Sequence, residues 1–273
     1  MKRAIGIHLR YKYSPKEMFA NIQKWKINAL QCFVSNLLTG RTVNIDTLTA
    51  QAFRRLVKTQ LSHFYAHGSY RINLASPTQG FHPALEYELK AAERLGCTHY
   101  ILHPGACKNK TEGIDAIARM INYITKKKSP LKLILENTAY ESPTIGSNIE
   151  DFVCILKKIN HPDQLNFCID TAHAHAAGYQ FEANYLEPFI KELESTIGIH
   201  RIAVIHLNNT DSECKSFLDI HCQLENGQIN LQSLKDFALH PKLAHIPLIL
   251  ELPQSSEIQE QAALNLIKSW HTP

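Results

Sequence analysis

Short apolar runs alternate with longer amphipathic stretches along the whole chain. Arg3–His8 is apolar and β-prone. Ser14-Pro15-Lys16-Glu17 then supplies an N-cap, a first-turn proline and a capping-box glutamate, which predicts a helix to about Lys26. Leu30–Val34 predicts a second strand and Asp46–Ser62 its helix. Phe64–His67 predicts a third, whose helix over Ala84–Leu95 stops at Gly96, a usual left-handed terminator. His99–His103 is followed by a helix near Gly113–Lys127, Leu131–Glu136 by Ile149–Ile159, and Leu165–Asp170 by Tyr185–Ile197. Ile202–His206 precedes a helix near Leu231–Leu239, and Pro247–Glu251 precedes Glu257–Trp270. Strands alternating with helices argue for a parallel sheet, and eight such units for an α/β fold closed as a (β/α)8 barrel. A barrel of this kind takes about 250 residues, so one domain over 1–273 is expected. A doubly wound open sheet would not need eight units, and no glycine-rich phosphate loop follows the first strand.

The residues that end the strands are the unusual feature. The third strand ends on His67, the fourth on His103 and the fifth on Glu136; the sixth ends on Asp170, with His173 just beyond. The seventh ends on His206 and the eighth on Glu251, and Asp219-Ile220-His221 lies between them. In a barrel these C-terminal strand ends meet at one mouth, where active sites are built. Alone, a strand-end histidine is most often a hydrogen-bonded structural residue, and an aspartate after a strand most often caps a helix. Their conjunction at one edge of six successive strands points instead to metal chemistry. Buried carboxylates must be paired or bound, and imidazole with carboxylate suits zinc, manganese or iron. The nine candidates His67, His103, Glu136, Asp170, His173, His206, Asp219, His221 and Glu251 could hold three ions if one carboxylate bridges two of them. His8 is a candidate to support a ligand. His175, on a small-residue turn, would orient a ligand or be exposed. The other histidines read as structural or surface residues.

Composition narrows the picture little. Apolar residues make up 44%, ordinary for a globular core, and the net charge of +4 permits a polyanionic partner without requiring one. Seven cysteines with no CxxC pair form no disulfide framework, so a reducing compartment is expected. Neither a signal peptide nor a membrane span is read, so the expected location is the cytoplasm, or a nuclear or viral compartment, and not outside the cell.

With these residues in hand, the sequence resembles the endonuclease IV family of apurinic/apyrimidinic endonucleases. The stretches that carry the resemblance are "HGSYRINLASP" (67–77), "ILHPGA" (101–106), "LILENTA" (133–139), "CIDTAHAHAAGY" (168–179), "VIHLNN" (204–209), "LDIH" (218–221) and "PLILE" (247–251), in the family's order. The resemblance implies a barrel with three Zn2+ that cleaves double-stranded DNA 5′ to an abasic site, with Mn2+ or Fe2+ acceptable at one or more positions. His67, His103 and Glu136 would hold the first ion. Glu136 would bridge to a second, with Asp170, His206 and Glu251, and His173, Asp219 and His221 would hold the third. Glu136 and Glu251 would position the attacking water. Tyr70 matches the tyrosine that the family wedges into the minor groove. Arg71, Lys108 and Lys110 are further DNA-contact candidates. The expected protein is a monomer with no nucleotide cofactor, which also removes 3′ blocking groups.

The chain departs from the family's pattern in its DNA-facing loops. "RYKYSP" (10–15) is bulky and basic where a small loop is usual, and Arg71 stands for an apolar residue. The loop 139–150 is longer and lacks a glycine after the ENTA string, Ile220 replaces a basic residue, and 222–228 lacks a histidine and a glycine-rich turn. None of these removes a metal ligand. Two other readings compete. A divalent-metal sugar isomerase or epimerase of the xylose isomerase-like class would use Glu136, Asp170, His206 and Glu251, leaving five candidates unexplained. A non-catalytic DNA-binding barrel would have no need of any of them.

Overall fold

The computed structural model describes residues 3–9, 15–35, 45–78, 83–127, 129–140 and 143–271. In chain order the elements are β1 (Ile5–Leu9), α1 (Pro15–Trp25), β2 (Ala29–Phe33), α2 (Thr47–Thr59), β3 (His63–His67), α3 (Pro83–Leu95), β4 (His99–Leu102) and α4 (Lys110–Lys126). Then come β5 (Lys132–Glu136), α5 (Glu150–Leu156), β6 (Leu165–Asp170), α6 (Thr171–Ala177), α7 (Ala183–Thr196) and β7 (Ile202–His206). A two-stranded ribbon, β8 (Asn209–Thr210) with β9 (His221–Cys222), leads to α8 (Leu231–Leu239), β10 (Leu248–Leu250) and α9 (Glu257–Ser269). Eight strands close a parallel barrel in the order β1-β10-β7-β6-β5-β4-β3-β2. The expected (β/α)8 architecture is therefore the observed one.

The strands are apolar on both faces because both are covered. One face packs outward against the helices. There Phe152 of α5 stacks on Phe167 of β6 with ring centroids 4.7 Å apart, both fully buried. The other face lines the barrel with an apolar ring of one residue per strand position: Ala4, Ala29, Tyr65, Ile101, Ile134, Cys168, Val204 and Ile249. This ring seals the barrel floor and sets the phase of everything above it.

Boundaries differ from expectation for local reasons. β1 is shifted to Ile5–Leu9, because its pairing with β10 begins only at Ile5↔Leu248. Arg3 turns instead beneath the barrel, where Nη2 donates to the Leu243 carbonyl at 3.1 Å and Nη1 to that of Ala238. α4 starts at Lys110 rather than Gly113, because the Asn109 side chain accepts from the Thr111 and Glu112 amides as an N-cap. Ser14, the expected cap of α1, and most of the divergent 10–15 loop lie outside the described residues. Among the described residues no helix is long and apolar enough to cross a membrane.

Candidate metal centre

Side chains two apart on a strand share a face. Counting two on from the apolar ring gives Gln31 from Ala29, His67 from Tyr65, His103 from Ile101 and Glu136 from Ile134. It gives Asp170 from Cys168, His206 from Val204 and Glu251 from Ile249. The alternation thus aims six of the nine ligand candidates at the barrel axis, directly above the hydrophobic floor. His103 and Glu251 lie one residue past β4 and β10 but keep the same phase.

The remaining three lie beyond the strand ends, His173 on α6, Asp219 in a loop and His221 on β9. Asp170 caps α6, its Oδ1 accepting from the His173 amide at 2.9 Å, so the cap that starts the helix also places His173 over the mouth. Asp219 and His221 come from the excursion between β7 and α8. That loop is held on the end of α6: the Lys215 and Phe217 amides donate to the His175 and Ala176 carbonyls at 3.1 and 2.9 Å. Lys215 and Phe217 take left-handed conformations, φ 65° and 58°, strain of about 1–3 kcal/mol each that the anchoring must hold.

The side chains form overlapping groups in which the potential ligand atoms all lie within 4.8 Å of one another: His67 with His103 and Glu136; Glu136 with Asp170, His206 and Glu251; and Asp170 with His173 and His221. Glu136, fully buried, belongs to the first two. Its Oε2 is 3.0 Å from His67 Nε2 and 3.4 Å from His103 Nε2, and its Oε1 is 3.0 Å from His206 Nδ1. Asp219 completes the third group, 3.3 Å from His173 Nε2 and 3.2 Å from His221 Nε2. All nine sequence candidates are brought together.

Electrostatics follow from opposite charges packed in a dry site. Burial alone would raise the Glu136 carboxyl, but His206 and His103 outweigh it and hold it well below the ordinary range. Glu251 is likewise opposed by burial and lowered by His206 and His8. Burial would lower His173, yet Asp170 and Asp219 push it well above its usual value. His221 is opposed by burial too, and Asp219 and Asp170 bring it up to about 9. Four imidazoles have an outer nitrogen fixed by a hydrogen bond. Nδ1 of His67, His173 and His221 donates to the carbonyls of Gly68, Asn137 and Glu251 at 2.8, 2.9 and 3.0 Å, and His206 Nε2 lies 2.8 Å from Gln31 Oε1. The inward Nε2 atoms of His103 and His221 are buried without a hydrogen-bond partner. Inward lone pairs, locked outer nitrogens and surrounding carboxylates are what a divalent metal requires, so these residues fit one or more such ions.

Sequence reading missed several residues that hold this arrangement. Gln31 is fully buried, 2.5 Å from Glu251 Oε1, and was legible only as the polar residue of an apolar strand. Asn208 Nδ2 donates to Asp170 Oδ2 at 2.6 Å while its Oδ1 accepts from the Glu251 amide at 2.8 Å. Buried Glu88 of α3 accepts from the Ser69 amide at 3.0 Å and from the Tyr100 hydroxyl at 2.6 Å, fixing the turn that presents Tyr70. The residues of α6 form a helix rather than the expected turn, because seven short residues carry little helical periodicity in sequence. In consequence His175 is buried rather than exposed.

The DNA-contact candidates are scattered around the mouth. Tyr70 is 61% exposed, with its ring centroid 5.8 Å from His67 and 5.4 Å from His103. It lines a cleft of about 370 Å3 with His103, Tyr140 and Asp219. Arg71 and Lys108 are exposed. Lys110 is not a free cation: its ammonium pairs with the buried Asp151 carboxylate at 2.5 Å, so it ties α4 to α5.

Residues 19–270 match the family model of xylose isomerase-like TIM barrels. A Clostridium botulinum (strain Alaska E43 / Type E3) protein named "Probable endonuclease 4" is 32% identical over 97% of this chain and 98% of its own length. Endonuclease IV from Thermus thermophilus superposes with a TM-score of 0.82 at 24% identity, covering 98% of both chains. A D-tagatose 3-epimerase-like protein shares the fold at TM-score 0.74 and 17% identity, over 99% of this chain and 97% of that one. The floor of one apolar residue per strand is common to a barrel of any chemistry, but near-full-length identity above 30% is not, and the chain belongs to the endonuclease IV family of xylose isomerase-like TIM barrels.

Proposed function

We propose that this protein is a metal-dependent endonuclease of base excision repair. It hydrolyses the phosphodiester 5′ to an abasic site in double-stranded DNA, leaving a 3′-hydroxyl and a 5′-deoxyribose phosphate, and also removes 3′ blocking groups. The observation that carries the reading is the convergence of nine imidazole and carboxylate ligands into three overlapping groups, in a chain of this family. Three Zn2+ would be held by His67, His103 and Glu136; by Glu136, Asp170, His206 and Glu251; and by His173, Asp219 and His221. The same donors accept Mn2+ or Fe2+. Such ions, when bound, supply a deprotonated water and neutralise the anionic oxygens of the phosphate.

The chain's own residues do the rest. Glu136 and Glu251, both buried, orient the attacking water. The apolar floor below them keeps bulk water from the site. Tyr70, exposed beside the first group, would fill the space of a missing base, and the exposed Arg71 and Lys108 would grip the phosphate backbone. The protein would act as a monomer in the compartment where DNA is repaired. Incubating it with a duplex carrying one tetrahydrofuran abasic analogue, before and after chelator treatment, tests this. The analogue cannot undergo β-elimination, so a metal-dependent nick means hydrolysis. The epimerase-like neighbour keeps a sugar isomerase as the second reading. Ketose turnover without nicking would establish that alternative, and duplex binding without nicking would leave a non-catalytic barrel.

A further inference from the structure

We propose that Gln31 is a positioning residue that fixes which nitrogen of His206 faces the metal centre. The inference rests on the metal-centre reading above and adds a residue to it. Gln31 sits in mid-barrel on β2, fully buried, two residues above Ala29 of the apolar floor. Its carboxamide touches Glu251 Oε1 at 2.5 Å on one side and His206 Nε2 at 2.8 Å on the other.

The orientation of that amide is forced. An ionised carboxylate can only accept, so the NH2 of Gln31 must face Glu251. The amide oxygen then faces His206, and since it too can only accept, His206 Nε2 must carry the proton. Nδ1 of His206, 3.0 Å from Glu136 Oε1 and 3.3 Å from Glu251 Oε2, is thereby the nitrogen whose lone pair a bound ion would take. One side chain thus sets the tautomer of one ligand and the rotation of another. His8 supports the same corner, its Nδ1 2.9 Å from both Glu251 Oε1 and Gln31 Nε2.

His206 is unlike the other imidazoles in this respect. His67, His173 and His221 are locked by main-chain carbonyls and present Nε2 inward, whereas His206 is locked by a side chain and presents Nδ1. Substitution can remove only the His206 lock, and the other three serve as internal controls.

Two measurements on the zinc-loaded protein test the proposal. Long-range 1H–15N correlation of the imidazoles should show His206 protonated at Nε2 and His67, His173 and His221 protonated at Nδ1. A wild-type His206 protonated at Nδ1 overturns the proposal without any variant. Zinc affinity by competition with a chromophoric chelator should fall about 10- to 100-fold for one ion in Gln31→Met, with the other ions retained. Gln31→Glu keeps an acceptor for His206 but repels Glu251, so it should preserve the Nε2–H tautomer while still weakening that ion. Gln31→Met with wild-type affinity for every ion and an unchanged His206 signal overturns the role of Gln31 alone. Wild-type protein that takes up no zinc overturns the metal-centre reading and this inference with it.

Discussion

Stripping the protein of divalent ions and titrating zinc back should release protons, because the site holds its imidazoles in the protonated form. Without metal, His173 and His206 sit well above their ordinary 6.5 and His221 at about 9. In each case burial opposes protonation and the neighbouring groups overcome it, Asp170 and Asp219 for His173 and His221, and Cys168, Glu136 and Glu251 for His206. At pH 7 His221 therefore carries a proton that an ion must displace, and the upward shifts of His173 and His206 favour the same form. For His221 the gap of two units corresponds to about 3 kcal/mol, taking about 1.36 kcal/mol per unit. Zinc uptake at pH 7 should therefore release at least the proton of His221, together with any lost from water on the ions, and apparent affinity should climb between pH 6 and 8. The sign for stability follows the same groups. Raised imidazoles stabilise the metal-free protein fully below pH 6.5, and that contribution is lost as pH rises through the folded value, near 9 for His221. The lowered carboxylates Glu136 and Glu251 contribute above the ordinary carboxylate range and lose that contribution as pH falls through their depressed values. Calorimetric titration in two buffers of different ionisation enthalpy reads the proton count directly. A heat that is the same in both buffers, with affinity flat from pH 6 to 8, would refute the electrostatic description of the site.

Three further outcomes are expected. Glu251→Gln should reduce nicking of the abasic duplex by about 10²–10⁴-fold; wild-type rates would remove Glu251 from the catalytic role. Phe152→Ala should cost about 3–5 kcal/mol in urea unfolding, because a fully buried ring stacked at 4.7 Å on Phe167 leaves a cavity that rigid strands cannot close. Lys108→Glu should weaken duplex binding and lower the slope of log affinity against log salt by about one. Lys110→Glu should instead act on stability through Asp151, and an equal effect of both variants on the salt slope would show that Lys110 also reaches DNA.

The barrel was legible because each strand is a short apolar run with a helix behind it, and helices such as α3 stop at a readable left-handed glycine, Gly96. The six inward ligands were legible for a related reason. A charged or imidazole side chain at the end of an apolar strand is costly unless something at the mouth receives it. Gln31 has the same phase and lies in the same layer, but an uncharged amide inside a strand carries no such alarm, and its partners are 175 and 220 residues away in sequence. The burial of His175 was not legible because helix α6 is too short to show a period, and it exists because Asp170 caps it. The tie on Lys110 was hidden because the carboxylate that holds it, Asp151, belongs to another helix.

Period-two alternation above an apolar ring is a local property, so the sequence by itself determined the fold class, the mouth of the barrel and the residues that point into it. Distances between those residues are not local. Only closure of the sheet, with β1 paired to β10 and Asp170 of β6 set beside His206 of β7, brought them within reach of one another and of the segments that carry His173, Asp219 and His221. The outer nitrogens of His67, His173 and His221 were fixed later still, by the carbonyls that the packed barrel placed behind them.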